Sequence, residues 1–234
     1  MTPPVVHDPS LRVPAMDVLV VGGVALVATV AAAGAHSLLI SGDDDFIYSP
    51  GAMSLVIFTY LAMGAAAIWA ARRTGDARRA LGLVAPRSWP RAVGLAFGTV
   101  VLALIASALL EPIFHGADAQ DVVPEGGRPA GIGPILGVIL AYTAVAIVGP
   151  VVEELIFRGL LTAAMRRRFA AVRTALLTSL LFAVAHFIPR VMPAVFLLGL
   201  ALAFVYERIG STTPGVLIHC LYNGIALTAA VTTH

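Results

Sequence analysis

Seven stretches of this chain contain no Asp, Glu or Arg: residues 18–40, 51–71, 92–110, 131–152, 174–187, 192–206 and 212–233. A helix needs about 20 apolar residues to cross the hydrocarbon core of a bilayer. Four of the runs meet that length, 92–110 has 19 residues, and 174–187 and 192–206 are shorter. Backbone in lipid must satisfy its own hydrogen bonds, so a single chain with runs of this kind spans as helices. The expectation is an all-α polytopic membrane protein, a bundle of about seven (six to eight) transmembrane helices. The two short runs, divided by Ile188-Pro189-Arg190-Val191, would be tilted or sheltered by their neighbours. One domain covers 1–234, with a core at about 131–233 that carries the informative residues.

Composition agrees. Hydrophobic residues make up 59% of the 234 and charged residues only 12%, about half the share of a soluble domain. Mean hydropathy is +0.93. This disfavours a soluble globular fold, a nucleic-acid binder and a disordered chain. All 15 basic residues are Arg, and they gather at the ends of apolar runs rather than along a groove that would take nucleic acid. A single Cys excludes an intramolecular disulfide framework and a Cys-based zinc site. Ala33-Gly34-Ala35 has the look of a signal-peptide cleavage site. The segment before it has only Arg12 against Asp8 and Asp17, so the run is read as a retained span.

Basic residues in short loops set orientation. Segment 72–91 carries Arg72, Arg73, Arg78, Arg79, Arg87 and Arg91 against Asp76, and segment 164–173 carries Arg166, Arg167, Arg168 and Arg173. Segment 41–50 carries Asp43, Asp44 and Asp45, and 111–130 has four acids against Arg128. The expectation is therefore a multi-pass protein of the cell membrane with 72–91 and 164–173 cytoplasmic. Leu81, Leu83, Val84 and Trp89, interleaved with the arginines, read as an interfacial stretch gripping lipid headgroups, with docking on a partner as the alternative.

Ionisable groups inside spans are expensive, and they mark function when they cluster. Here they fall in the last third: Glu153, Glu154, Arg158, His186 and His219, with Asn223 beside them. Glu154 and Arg158 are four residues apart and pair on one helical face. Glu153 lies about 100° round the helix and is left without that partner. Phe182 and His186 share a face, as do His219 and Asn223. Arg168 to Arg173 marks a turn between antiparallel helices. Glu153 stands 15 residues before it and His186 stands 13 after it, so both lie roughly 20 Å from the turn. One carboxylate, two imidazoles and an amide are expected to converge in one water-accessible cavity, with Glu153 and His186 within about 3–6 Å of each other.

Glu-Glu-x-x-x-Arg (153–158), Phe-x-x-x-His (182–186) and His-x-x-x-Asn (219–223), in that order on successive hydrophobic helices, resemble the CPBP family. That family includes the CAAX prenyl-protein endopeptidases and ABI-type bacteriocin-processing and immunity proteins. The resemblance implies intramembrane proteolysis of a membrane-proximal or lipidated peptide, with membrane lipid around it. It implies that Glu153 and His186 activate water, that His219 and Asn223 stabilise the oxyanion, and that Glu154, Arg158 and Phe182 order the site. No cofactor is favoured, although Glu153, His186 and His219 would also make a zinc set. Two other readings stay open: a catalytically idle scaffold or immunity-type protein of the same fold, and a proton-coupled transporter. Transport predicts matching helix breaks in two halves; Gly149-Pro150 supplies one break with no counterpart. Cys220, although adjacent to His219, points to another face of the helix, as neighbouring helical residues do.

Overall fold

The computed structural model describes residues 12–39, 46–86, 88–115 and 131–232. Among these residues the chain forms eight helices: α1 Ala15–Leu39, α2 Pro50–Arg72, the short α3 Ala77–Ala80, α4 Trp89–Phe114, α5 Ile132–Met165, α6 Ala171–Val184, α7 Met192–Ile209 and α8 Thr213–Thr232. Six are long and apolar enough to cross a membrane, and α6 is a shorter apolar helix. The chain is an all-α polytopic membrane protein. The acidic residues Asp43–Asp45, the 116–130 stretch with Arg128, and Arg87 lie outside the described residues.

Local chemistry explains the helix ends. Ser49 caps α2 by accepting from the Ala52 N–H at 3.2 Å, and Pro50 follows in the first turn, where its missing N–H costs nothing. Ser88 and Pro90 begin α4 in the same way. Gly210 ends α7 in the left-handed conformation, φ 75°. Between α1 and α2, buried Asp17 takes the Arg73 guanidinium at 3.0 Å.

Small residues bring the helices together. The buried residues of α2 are Ala52, Met53, Gly64, Ala67, Ala70 and Ala71, all small except Met53. Van der Waals fit rather than water expulsion drives helix association in lipid, so short side chains belong at such contacts. Large apolar side chains point outward instead: Phe97 is 72% exposed and Leu109 70%. In water that would be an aggregation surface, whereas in a bilayer it is the lipid face.

Two span expectations need correction. The run expected to end at residue 152 continues to Met165, so the Glu-Glu-x-x-x-Arg motif sits inside a 34-residue helix rather than near its end. Charges that neutralise one another within the helix need not stop it. Nor does Gly149-Pro150 break α5. The helix widens into a π turn over Tyr142–Val148, in which the Gly149 N–H reaches back to the Ala144 carbonyl. A wider turn makes room for the proline ring and redistributes the hydrogen bonds that Pro150 cannot supply. A second π stretch follows at Leu155–Leu161. The 72–91 segment also departs from a free docking face. Leu81 is 3% exposed, and the Thr212 hydroxyl donates to the Leu81 and Gly82 carbonyls.

Gly159 of α5 meets this tucked segment. A Cβ there would lie 2.8 Å from Leu81 backbone atoms, which cannot rotate away. Gly159→Ala should destabilise the protein by about 1–3 kcal/mol. Gly94→Ala on α4, where a Cβ meets nothing within 4 Å, should be neutral or stabilising by up to about 1 kcal/mol. Thermal melting of both variants in detergent checks the contrast, and equal melting temperatures would refute it.

Candidate active site

The motif residues come from α5, the end of α6 and α8. Glu154 is fully buried and Arg158 is 1% exposed. Arg158 Nη1 lies 2.7 Å from Glu154 Oε1, the pairing expected from their spacing. Arg158 Nη2 donates to the Gly199 carbonyl on α7 at 3.0 Å, and its guanidinium carbon stands 4.6 Å from the centre of the Phe182 ring. A buried cation thus has a carboxylate, a carbonyl and an aromatic face around it, which offsets the cost of leaving water.

Glu153 turns to different partners. Its Oε1 accepts from the Tyr60 hydroxyl on α2 at 2.9 Å. Its Oε2 lies 3.6 Å from His219 Nε2 on α8. The other ring nitrogen, His219 Nδ1, lies 3.4 Å from Glu154 Oε1. His219 is 1% exposed and stands between the two carboxylates. Glu153 is thus separate from the Glu154–Arg158 pair, as its position round the helix predicts, and one imidazole faces both carboxylates.

Phe182 connects the rest. Fully buried, it packs edge-on against Phe157 at 5.2 Å, His186 at 4.9 Å and His219 at 5.5 Å between ring centres. Its contact with Phe157 and Arg158 sets the register of the α5–α6 hairpin. Along the chain Glu153 precedes Phe157 by four residues and His186 follows Phe182 by four. His186, however, lies beyond the last residue of α6 rather than within the helix. Its Nδ1 is 2.8 Å from the Phe182 carbonyl. A carbonyl only accepts, so Nδ1 carries the hydrogen, and a neutral ring keeps its lone pair on Nε2.

His186 thus has a partner within its own turn, the Phe182 carbonyl. The partners of Glu153 are Tyr60 and His219 rather than His186. The helix ends one turn early, so the His186 backbone bends into a turn, with its N–H on Ala183 at 3.2 Å. Asn223 also has an anchor. Its Nδ2 donates at 2.9 Å to the Val145 carbonyl. The first π turn explains why that oxygen is available. Gly149 gives its N–H to Ala144, and the next residue, Pro150, has none to give. Asn223 supplies the missing donor and retains a second N–H.

The site residues differ in burial, with His186 and Asn223 half-buried. Glu153 keeps 8% exposure, and Glu154 and His219 are almost closed off. A hollow of about 530 Å³ lies beside α8, lined by Tyr142, Cys220, Gly224, Ile225 and Thr228 among others, and not by the carboxylates. The Cys220 sulfur stands 4.0 Å from the Ile147 carbonyl. Among the described residues no three His, Cys, Asp or Glu side chains gather so as to share a metal ion. The set Glu153, His186 and His219 does not fit zinc in this arrangement.

Residues 134–225 match the family model of type II CAAX prenyl endopeptidase Rce1-like proteins. This segment is similar to that family. The Rce1-like segment runs from α5 into α8 and carries all three motifs, so Glu153, Glu154, Arg158, Phe182, His186, His219 and Asn223 all fall inside it. No curated protein and no solved structure matches the chain. Tyr60 lies outside the Rce1-like segment and is the site residue that the sequence reading missed. Its signal was present: a phenol in the middle of an apolar run requires a hydrogen-bond partner from another helix.

Proposed function

We propose that the protein is an intramembrane endopeptidase that cuts a peptide bond of a membrane-proximal or lipidated substrate by a metal-free, carboxylate-activated water. The observation that carries this reading is the inequality of the two adjacent carboxylates. Glu154 is neutralised by Arg158. Glu153 has no cation of its own and faces a phenol and an imidazole.

In this mechanism Glu153 takes a proton from water as the oxygen attacks the carbonyl carbon of the peptide. His186, whose Nε2 is free to accept, shares that proton. His219 and the second N–H of Asn223 donate to the oxyanion as the C–O double bond opens. The proton passes to the leaving nitrogen when the C–N bond breaks, which gives an acid and an amine. General base help of this kind contributes about 10²–10⁴-fold and an oxyanion donor about 10²–10³-fold. Glu154, Arg158 and Phe182 hold the frame.

The test uses the full-length protein in liposomes with an internally quenched peptide bearing a prenylated CAAX end, and the same peptide unprenylated. Cleavage by wild type that survives a zinc chelator supports the reading. Cleavage abolished by chelator overturns the metal-free part. No cleavage of either peptide overturns the enzyme reading in favour of an idle scaffold.

Orientation belongs to the same proposal, with the 72–91 and 164–173 loops in the cytoplasm of a cell-membrane protein. In a Cys220→Ala background, a membrane-impermeant thiol reagent added to intact cells should miss Arg79→Cys, whose parent side chain is 60% exposed, and should label it after permeabilisation. Labelling in intact cells would invert the topology.

A further inference from the structure

The geometry points to Tyr60 as a positioning residue for Glu153, contributed by α2 from outside the Rce1-like segment. The inference rests on the reading of Glu153 as the carboxylate that activates water. A glutamate has three side-chain torsions, and its two oxygens are chemically alike. To act on water beside the imidazoles, one oxygen must be held and the other left to work. Tyr60 does the holding, because its hydroxyl donates to Oε1 at 2.9 Å while Oε2 faces His219 Nε2. The phenol is a rigid lever with two torsions, so the bond fixes the carboxylate at small entropic cost.

A second observation shows that the structure is built around this ring. Gly149, one turn before Glu153, packs against it. A Cβ at 149 would lie 2.9 Å from Tyr60 Cζ and 3.0 Å from Cε2. One turn along α2, Gly64 lets Val152 of α5 approach, with a Cβ there 3.1 Å from the valine methyl. Glycines on both helices bring α2 and α5 close enough for the hydroxyl to reach the carboxylate. The neighbouring hydroxyl, Thr59, bonds to its own helix at the Leu55 carbonyl, so Tyr60 is the side chain of this turn that reaches across.

The experiment measures kcat and KM in liposomes for wild type, Tyr60→Phe, Glu153→Gln and Ser107→Ala, using the quenched prenylated peptide. Tyr60→Phe keeps the ring and removes only the donor. It should lower kcat about 10- to 100-fold with KM within about twofold, because a hydrogen bond to a charged group is lost at the reacting carboxylate and not in substrate binding. Tyr60→Phe should have no further effect in the Glu153→Gln background. Ser107→Ala deletes another interhelical hydrogen bond, Ser107 on α4 to Tyr222 on α8 at 2.6 Å, which does not touch Glu153, and should leave kcat unchanged. A drop in kcat of the same size in Ser107→Ala would mean that any lost bond loosens the bundle, and would overturn the positioning role. Full kcat in Tyr60→Phe beside a dead Glu153→Gln would overturn it while leaving the proposed function intact. An inactive wild type would remove the proposed function and this inference together.

Discussion

Glu153→Gln is expected to abolish cleavage, by about 10²–10⁴-fold in kcat if the carboxylate is the general base, while the melting temperature stays within about 2 °C of wild type. The substitution keeps the shape of the side chain and a carbonyl oxygen for the Tyr60 hydroxyl. It turns the oxygen that faces His219 into an amide NH2, which cannot take a proton. Arg158 pairs directly with Glu154 and the Gly199 carbonyl rather than with Glu153. The fold therefore has little reason to notice, and the chemistry has every reason. Parallel measurement of turnover and melting decides it, and a Glu153→Gln variant that still turned over at the wild-type rate would end the assignment.

The second large effect has the opposite signature. Arg158→Met should destabilise the protein by about 3–5 kcal/mol, because it leaves the fully buried Glu154 carboxylate without its cation. The Gly199 carbonyl also loses its donor, and the Phe182 face loses its guanidinium. Removing the other partner as well, in Glu154→Gln/Arg158→Met, should recover a substantial part of the loss, since no unpaired charge remains. Denaturant or thermal unfolding in detergent of the two single variants and the double reads the coupling. Additive losses would show that the pair is not the unit described here.

The features that chemistry within one helix decides were legible in advance. The span positions follow from charge-free runs, because hydrocarbon allows few alternatives to a helix. The Glu154–Arg158 pair follows from a four-residue spacing that any α-helix translates into adjacency. The Arg168–Arg173 turn follows from the arginines between two apolar runs, and across it Phe182 of α6 meets Arg158 of α5. Counting failed where the helix departed from ideal. The π turns in α5 and the early end of α6 displaced the very residues whose facing had been counted. His186 consequently bonds to its own Phe182 carbonyl, and Asn223 is committed to Val145.

What the sequence by itself determined about this protein is its solvent, its class of fold and the set of polar residues placed inside its spans. A span, a buried ion pair and a motif order are properties of neighbours along the chain. The tertiary structure alone decided which atoms meet. That His219 stands between both carboxylates, that Tyr60 of α2 holds Glu153, and that Asn223 takes the carbonyl released by Pro150 depend on how helices far apart in sequence cross and in what register. Those crossings are set by where glycine and alanine permit backbones to approach, as Gly149 does for the Tyr60 ring. Such fit is a collective property of several packed surfaces in lipid, where no strong hydrophobic signal marks one helix face for another.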